Sequence, residues 1–516
     1  MPTASPVDLI VVGVYLIAVT ALGCFMSRRT HTADEFMSAG RSLPGWVVGL
    51  SIIGTFVSSI SFVANPGKTF SGTWLPFVFS LSLPYAAWVA TVFFVPFFRN
   101  CGSLSAYEHL EKRFGTWARV YSALFNVMYH VGRIGMILYG VSLAVTALID
   151  VPISTIILCL GVLVIAYTLL GGIEAVIWTD VVQSIILVGG MLICLVVLVM
   201  NVPGGVAGII EGASQPLQNK LSLGSMDLSF AKTASGSSTF LTMLTFGFFI
   251  NLQNFAADQT FVQRYFTART EADARRSVWM GAIAYLPISA ILFFLGTGLF
   301  VFYQLNGELP ADRKPDEVLP FFIMSELPTG LAGLLIAAIL AAAMSTVDSS
   351  LNSSATLLLC DVQNRFFRRG VQQVDGSYKA DDKFDLRFLR LMTIVLGVLG
   401  IAVALAMVSS RGHMLDVWWK ISGILSGGTL GLILLARFTK AEGAFGAALG
   451  VVSGVSAITL VTVAHMPDLP QWLQPVYSKL APVRDLLDPL MAVVVGTSIV
   501  FLVGAVLSKR PKQLSA

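Results

Sequence analysis

Residues 49–61 read GLSIIGTFVSSIS, and they occupy the centre of an apolar segment, 45–66, that is long enough to cross a membrane. Glycine, hydroxyl and β-branched residues in succession form a helix poorly. Irregular backbone at membrane depth is tolerated only where it is buried in protein or lines a cavity. The stretch therefore predicts a broken helix. The alternative interpretation is close helix packing, for which small residues are also typical.

The composition places this segment in a membrane protein. Of the 516 residues, 55% are apolar and only 12% are charged, whereas soluble domains carry about 25% charged residues. Apolar stretches of about 20 residues are typical of membrane-spanning helices. We count thirteen, at 8–26, 45–66, 75–98, 120–148, 153–170, 174–200, 239–260, 277–304, 328–360, 391–409, 415–436, 443–465 and 488–507. The sequence predicts an all-α polytopic membrane protein with about 13 transmembrane helices.

A second irregular segment lies five spans further along the chain. Residues 239–260 contain Phe246, Gly247 and Phe248, followed by the polar residues Asn251, Gln253, Asn254 and Asp258. Paired broken helices in corresponding positions are typical of transporters built from inverted repeats, with the binding site at the midplane. We expect one transporter domain, 1–516, made of an extra N-terminal helix (8–26), two five-helix repeats (45–200 and 239–436) and two C-terminal helices (443–507).

The 33 basic residues are distributed unevenly between alternate loops. Most of them, among which we count Arg264, lie in inner loops if the N-terminus is outside and the C-terminus cytoplasmic. The positive-inside rule favours this orientation in a cell membrane. The net charge of +4 then reflects topology and gives no indication of nucleic acid binding. The N-terminus lacks the basic region of a cleaved signal, and the loops are too short for an attached soluble domain.

Residues 341–350 read AAAMSTVDSS and place a carboxylate, Asp348, in the middle of an apolar segment. A carboxylate at bilayer depth costs roughly 2.5–3.5 kcal/mol on insertion scales. Ser345, Thr346 and Ser349 supply hydroxyl oxygens beside it, and Ser345, Asp348 and Ser349 share one helix face. Hard oxygen donors suit hard cations. The run therefore indicates a sodium site or a proton site.

Three longer motifs resemble one known family. Residues 171–183 read GGIEAVIWTDVVQ, residues 258–265 read DQTFVQRY, and residues 105–114 read SAYEHLEKRF. Together they are similar to the signatures of the sodium/solute symporter family, which includes sodium–glucose, sodium–proline, sodium–monocarboxylate and sodium–sialic acid cotransporters. The pattern agrees best with the bacterial sodium–sialic acid symporters. The resemblance implies a LeuT-type 5+5 inverted repeat.

The resemblance also implies the residues of a main sodium site. Backbone carbonyls from the broken helix and hydroxyls from the serine-rich helix hold the ion in that family. The matching positions are the carbonyls of Gly54, Val57 and Ala342 and the side chains of Ser345 and Thr346. The alternative is that the two hydroxyls bond back to carbonyls of their own helix, as such residues commonly do.

A second cation site is implied by similarity to the sialic acid symporters. Its residues are Asp180, Ser345 and Ser349, with Asp348 at a position where those relatives carry serine. The extra carboxylate either strengthens the second cation site or holds a proton. The alternative for Asp180, at the start of a predicted span, is to cap that helix together with Thr179.

Arg133 is the basic residue in the middle of a predicted span, and its planar fork suits bidentate binding of a carboxylate. The resemblance implies that it binds the substrate carboxylate. The alternative is a structural ion pair with a buried carboxylate. The other predicted substrate-binding residues are Phe56, Ser58, Ser61, Ser80, Asn251 and Trp419. Phe56 and Ser80 replace threonine and glutamine of the sialic acid symporters, and Trp419 replaces a glutamine of the sugar transporters.

We therefore expect a sodium-coupled symporter that imports a small organic acid, such as sialic acid or another monocarboxylate, by alternating access. One or two sodium ions serve as co-substrate, and the protein works as a monomer. The alternative is sodium-coupled transport of a sugar, a polyol or another neutral solute. An enzyme is not indicated, because the five histidines are scattered and form no catalytic motif.

Overall fold

The computed structural model describes residues 4–26, 30–100, 104–146, 149, 151–215, 219–233, 236–307, 314–367, 370–372, 378–408, 414–466 and 474–508. The long helices are Pro6–Met26, Gly45–Phe56, Ser59–Ser71, Thr116–Thr146, Ile153–Asn201, Phe240–Ala257, Glu271–Asn306, Leu331–Leu357, Asp382–Met407, Met414–Phe438, Ala444–Ala464 and Met491–Leu507. Shorter helical pieces are Ala33–Ser38, Ala39–Arg41, Phe77–Leu81, Leu83–Val89, Ala90–Phe94, Val95–Arg99, Glu108–Phe114, Gly205–Ala213, Gln259–Thr267, Pro315–Glu317, Val318–Glu326, Leu358–Gln363, Asn364–Phe366, Gln474–Lys479 and Ala481–Leu486.

One small hairpin departs from the predicted all-α class. Gly370–Gln372 pairs antiparallel with Tyr378–Ala380 in a two-stranded sheet. The hairpin connects two of the long helices and lies outside the apolar segments. The transmembrane part of the described chain is helical.

The described residues contain nine helices that are long and apolar enough to cross a membrane, and a bent pair that passes the same test. Three shorter apolar helices, Ile153–Leu169, Gly427–Phe438 and Met491–Leu507, accompany them. The protein is therefore a multi-pass membrane protein.

The helix that begins at Leu331 lies at the centre of the molecule. Its most apolar window is 89% buried, compared with 17% for Pro6–Met26. It packs against Thr116–Thr146, against Ile153–Asn201 and against Pro6–Met26. The serine-rich run with Asp348 is thus enclosed by protein.

Three breaks shape the helices around this centre. The predicted segment 45–66 is two helices, Gly45–Phe56 and Ser59–Ser71, which are bent by 50°. The long helix Ile153–Asn201 kinks at Gly172, which has a φ of 58°; a Cβ there would lie 2.8 Å from the backbone of Phe36. The third break differs from the prediction, because Phe240–Ala257 runs unbroken through Gly247 and ends at Asp258.

Candidate functional site

The break of the first bent helix removes backbone carbonyls from the helical hydrogen-bond ladder. Val57 has φ −86° and ψ 89°, which ends the helix. The amide of Ser58 donates to the carbonyl of Phe56 at 3.2 Å, and the amide of Ser61 donates to the hydroxyl of Ser58 at 3.3 Å. In a continuous helix these amides would bond to Gly54 and Val57. The carbonyls of Gly54 and Val57 therefore lie outside the regular ladder.

Gly54 faces the serine-rich helix directly. A Cβ on Gly54 would lie 2.9 Å from the hydroxyl oxygen of Ser345. The hydroxyl of Thr346 donates to the carbonyl of Ala342 at 3.1 Å. Four predicted main-site residues therefore lie on two facing helices. Gly54 lies on the first helix, which ends at Val57, and the second helix carries Ala342, Ser345 and Thr346. Thr346 makes the predicted bond to its own helix, whereas Ser345 donates to Asp180. A hydroxyl that donates its proton keeps lone pairs for a cation, so both bonds are compatible with sodium binding.

Asp180 lies in a buried polar network and does not cap a helix. Thr179 and Asp180 lie inside the kinked helix Ile153–Asn201, and Thr179 bonds back to the carbonyls of Ala175 and Val176. The capping interpretation is therefore wrong. Ser345 donates to one carboxylate oxygen of Asp180, and Ser51 donates to the other.

Arg264 completes this network and was misplaced by the sequence analysis. Its side chain is fully buried, and the residue belongs to the helix Gln259–Thr267 and not to a loop. One guanidinium nitrogen donates to Asp180 at 2.9 Å and to Ser349 at 2.7 Å, and Nε donates to Ser51 at 2.8 Å. The motif at 258–265 already contained this arginine, but spacing alone does not identify its partner.

Asp348 lies apart from these hydrogen bonds. Tyr167 donates to one of its oxygens at 2.8 Å, and the other oxygen has no hydrogen-bond partner among the described residues. Asp348 nevertheless interacts electrostatically with Asp180 and Arg264. If both carboxylates are ionised, the one guanidinium of Arg264 leaves one negative charge uncompensated. An uncompensated buried charge is costly, so this region is suited to one further cation or proton.

A cavity of about 160 Å³ lies beside the break of the first bent helix. Its lining includes six of the seven predicted substrate-binding residues, namely Phe56, Ser58, Ser61, Ser80, Arg133 and Asn251. The seventh, Trp419, belongs to the helix Met414–Phe438, but its side chain lies outside the described residues. The cavity also has lining residues that the sequence analysis did not assign to the substrate, among them Asn65, Tyr129, Gln253, Asn254 and Tyr285.

Several polar lining residues bond to neighbouring protein groups. The hydroxyl of Ser80 lies 2.7 Å from that of Ser289, and the hydroxyls of Ser58 and Ser61 are 3.3 Å apart. The amide of Asn251 donates to Ser82 at 3.0 Å. These bonds orient the polar wall, and any ligand hydrogen bond to these groups must be added to them or replace them.

Arg133 connects the cavity wall to the broken helix. Its guanidinium donates to the carbonyl of Thr55 at 3.1 Å, and its side chain is 13% exposed. Asp258 lies 4.0 Å away without a hydrogen bond to it, and His130 lies 3.1 Å from Asp258. The predicted alternative of an ion pair is thus present in a loose form. Thr55 is the one hydrogen-bond acceptor that the described part of the chain gives this guanidinium, so other donors of the fork remain for a ligand.

Comparison with known proteins identifies the family. A sequence profile of the Sodium:solute symporter family matches residues 36–454. The sodium/sialic acid symporter NanT of Aliivibrio fischeri is 34% identical over 453 residues, 87% of this chain and 86% of that protein. The sodium/sialic acid symporter SiaT of Proteus mirabilis is 33% identical over 464 residues, 88% of this chain and 89% of that protein.

Solved structures agree with this assignment. A Na⁺-coupled sialic acid symporter in a substrate-bound, outward-open state superposes with a TM-score of 0.84 at 29% identity, over 97% of each chain. Mhp1, a nucleobase-cation-symport-1 family transporter, shares the fold with a TM-score of 0.52 at 15% identity, over 91% of this chain and 93% of that one. The chain therefore belongs to the sodium:solute symporter family, and it is a multi-pass membrane transporter that couples solute movement to sodium, not an enzyme.

Proposed function

We propose that this symporter imports a small organic acid, with sialic acid or another monocarboxylate as the first candidates. The observation that carries the proposal is the position of Arg133 on the cavity wall, one hydrogen bond from the broken helix. A partly exposed guanidinium whose fork is not filled by protein acceptors is suited to a carboxylate.

Two features of the cavity bear on the choice of acid. The sodium-coupled relatives named for sialic acid make that sugar acid a natural candidate. Phe56, however, places an aromatic ring in the cavity wall and packs against Phe261 at 4.8 Å between ring centroids. This apolar surface favours a less hydroxylated acid, so other monocarboxylates stand beside sialic acid.

The transport mechanism that we infer is alternating access in a LeuT-type 5+5 inverted repeat. The nine long spans, the bent pair and the three shorter apolar helices give thirteen transmembrane segments if each crosses the membrane once. The repeats are 45–200 and 239–436, with 8–26 and 443–507 added at the ends. The breaks at Val57 and at Asp258 fall in the first helix of each repeat.

We assign the main sodium ion to the carbonyls of Gly54, Val57 and Ala342 and to the hydroxyls of Ser345 and Thr346. A second cation belongs near Asp180, Ser345, Asp348 and Ser349, where two carboxylates exceed the single charge of Arg264. This second cation is sodium or a proton, so one or two sodium ions accompany the solute.

The orientation that we infer places the N-terminus outside and the C-terminus in the cytoplasm of a cell membrane. The uneven distribution of basic residues between alternate loops supports it. The site is built from helices of a single chain, which is consistent with function as a monomer.

Substitution of Arg133 tests the proposal. Losing a charge-assisted hydrogen bond costs about 1.5–3 kcal/mol, so Arg133→Ala should weaken carboxylate binding by roughly ten- to a hundredfold. Arg133→Lys should restore it only in part, because a point charge does not reproduce the fork. Uptake of radiolabelled sialic acid and of a panel of monocarboxylates into proteoliposomes measures both effects.

The second candidate function is sodium-coupled transport of a neutral sugar or polyol. The observation that favours it is Asp258, whose buried carboxylate lies 4.0 Å from Arg133 and partly compensates its charge. Sodium-dependent uptake of a neutral sugar, undiminished in Arg133→Ala, would establish this function and exclude the organic acid.

A further inference from the structure

The guanidinium of Arg133 lies next to the backbone that we assign to the main sodium ion. It donates at 3.1 Å to the carbonyl of Thr55, and Thr55 lies between Gly54 and Val57 in the sequence. Consecutive Cα atoms are only 3.8 Å apart. A fixed positive charge is therefore held one peptide unit from a sodium ligand.

Among the described residues, the charge of Arg133 is compensated only in part. Asp258 lies 4.0 Å from it, and Thr260 and His130 supply the hydrogen bonds that Asp258 accepts. The oxygen of Asp258 that is nearest to Arg133 has no hydrogen-bond partner among the described residues. Both side chains are largely shielded from water, with exposures of 13% and 0%, so their charges act at a low effective dielectric constant.

We propose that Arg133 is an electrostatic coupling residue: its charge opposes sodium binding at the main site while the substrate site is empty, and the substrate carboxylate removes that opposition. The inference rests on the proposed function, in which the substrate is an anion that binds Arg133. Sodium then binds weakly without substrate and tightly with it. By thermodynamic linkage, sodium raises the affinity for substrate by the same factor.

Two charge-removing substitutions should change the affinity for sodium in opposite directions, which simple structural damage would not do. Arg133→Gln removes the positive charge and should tighten sodium binding in the absence of any substrate. Asp258→Asn removes the compensating negative charge and should weaken sodium binding. Asparagine is as good an N-cap as aspartate, so this variant keeps the cap that Asp258 provides for the helix Gln259–Thr267. A general loosening of the site would weaken sodium binding in both variants.

The experiment is a sodium titration of the purified full-length protein without substrate, at constant ionic strength with choline as the replacing cation. Thermal unfolding reports binding, because sodium that binds the native state raises its apparent stability. We expect the half-saturating sodium concentration to fall about fivefold or more in Arg133→Gln and to rise by a similar factor in Asp258→Asn. A factor of about five is the lower end of the usual range for coupling between two sites. The control is Glu271→Gln, which changes an exposed surface ion pair and should leave the half-saturating sodium concentration unchanged.

Unchanged or weaker sodium binding in Arg133→Gln would overturn the proposal, and so would tighter binding in Asp258→Asn. The titration contains no substrate, so its outcome is separate from that of the carboxylate uptake test. Sodium-dependent uptake of a neutral sugar, undiminished in Arg133→Ala, would exclude the organic acid, whereas a sodium titration with the wrong sign would exclude the coupling role alone.

Discussion

At the scale of single residues, the proposed main sodium site combines two hydroxyls with backbone carbonyls. Ser345 and Thr346 each use their proton within the protein, on Asp180 and on Ala342 respectively. Their lone pairs remain for a hard cation. Removing either hydroxyl takes away one of the two side-chain oxygens assigned to the ion.

We predict that Ser345→Ala and Thr346→Ala each raise the sodium concentration for half-maximal uptake, by about tenfold if one ligand is worth about 1.4 kcal/mol. Ser350→Ala is a matched control on the same helix, because the hydroxyl of Ser350 bonds to the carbonyl of Thr346 at 2.7 Å and is not assigned to the ion. Sodium dependence of uptake measures the effect. If the double variant Ser345→Ala, Thr346→Ala kept the wild-type sodium dependence of uptake, these two hydroxyls would not be sodium ligands.

Gly54 offers a steric test of the same site. A methyl group at Gly54 would lie 2.9 Å from the hydroxyl oxygens of Ser184 and Ser345, closer than carbon and oxygen approach without displacement. Gly54→Ala should therefore abolish sodium-stimulated uptake while the protein still inserts. Gly189→Ala is the control, because a Cβ there has no heavy atom within 4 Å. Normal sodium-stimulated uptake in Gly54→Ala would contradict the close approach of the two helices.

The sequence predicted these individual positions far better than it predicted their partners. Motif resemblance placed Ser58, Ser61 and Arg133 at positions that line one cavity in the structure. It did not pair Arg264 with Asp180, although both stood in quoted motifs, because a contact across 84 residues has no local spacing signal. For the same reason the hydrogen bond from Tyr167 to Asp348, which are 181 positions apart, was not predicted.

At the scale of helices, the two breaks have different causes. The first bent helix ends at Val57, in the run of glycine, hydroxyl and β-branched residues that predicted it. The helix Phe240–Ala257 accommodates Gly247 without a break. The absence of a side chain at Gly247 lets the backbone of Phe79 approach, because an added Cβ would lie 2.9 Å from that backbone. The helix instead ends at Asp258, whose side chain caps the next helix. A single helical glycine costs only about 1 kcal/mol, which packing readily offsets.

An ionic cluster joins three elements near the motif at 105–114. Arg119 contacts Asp361 at 2.6 Å and Glu111 at 2.9 Å, and it also donates to the carbonyl of Cys360 at 3.0 Å. Asp361 also accepts from Ser105 at 2.7 Å. Asp361 is fully buried and Arg119 is 9% exposed, so removing one partner leaves an uncompensated buried charge.

We predict that Arg119→Ala lowers the free energy of unfolding by about 3–5 kcal/mol, the usual cost of breaking a buried ion pair. The exposed pair between Lys112 and Glu108, at 3.3 Å, supplies the control. Lys112→Ala should cost no more than about 0.5 kcal/mol. Thermal unfolding of the purified variants in detergent compares them, and equal losses would show that the cluster contributes little.

Glu111 gives this cluster a pH dependence. Burial disfavours its ionisation, but hydrogen bonds from Arg119, Arg365 and Thr116 outweigh burial, so the pKa of Glu111 is below the usual 4.5. A lowered pKa in the folded state contributes stability above the pKa of the unfolded state, and that stability is lost as the pH falls through the folded value. We expect the stability difference between wild type and Glu111→Gln to be constant above about pH 5 and to shrink below pH 4.5. A difference that grows on acidification would contradict this assignment.

At the scale of the whole molecule, composition and apolar segments were sufficient to predict a multi-pass helical protein, because a bilayer imposes one structural solution on most of the chain. The hairpin at Gly370–Gln372 and Tyr378–Ala380 was not predicted, since it lies in a polar connection that the bilayer does not constrain. The order of the repeats and the membrane orientation remain predictions.

A second cavity and the ionic cluster lie near opposite ends of one helix. A neighbouring cavity of about 420 Å³ shares Pro76 with the substrate cavity and is lined by His465 and Asp488, near one end of the helix Ala444–Ala464. Arg113 bonds to the carbonyls of Thr439 and Ala441 at the other end of that helix. The motif at 105–114, which contains Arg113 and Glu111, thus lies near the end of that helix opposite to the larger cavity.

We predict that Ser237→Cys, beside the larger cavity, reacts with a membrane-impermeant maleimide on intact cells, in a background without the native cysteines. Lys440→Cys should react only after the membrane is permeabilised, because it lies on the opposite face in the proposed orientation. The reverse pattern of labelling would invert the topology while leaving the site unchanged.

The property that matters most for the whole molecule is the coupling of solute uptake to sodium entry through this chain. Its most direct test is uptake by proteoliposomes that contain the purified protein, with an inward sodium gradient and a labelled organic acid outside. We expect accumulation above the external concentration. This accumulation should collapse when a sodium ionophore is added, and it should be absent in the Ser345→Ala, Thr346→Ala double variant. Equal uptake of every tested solute when potassium replaces sodium would contradict it.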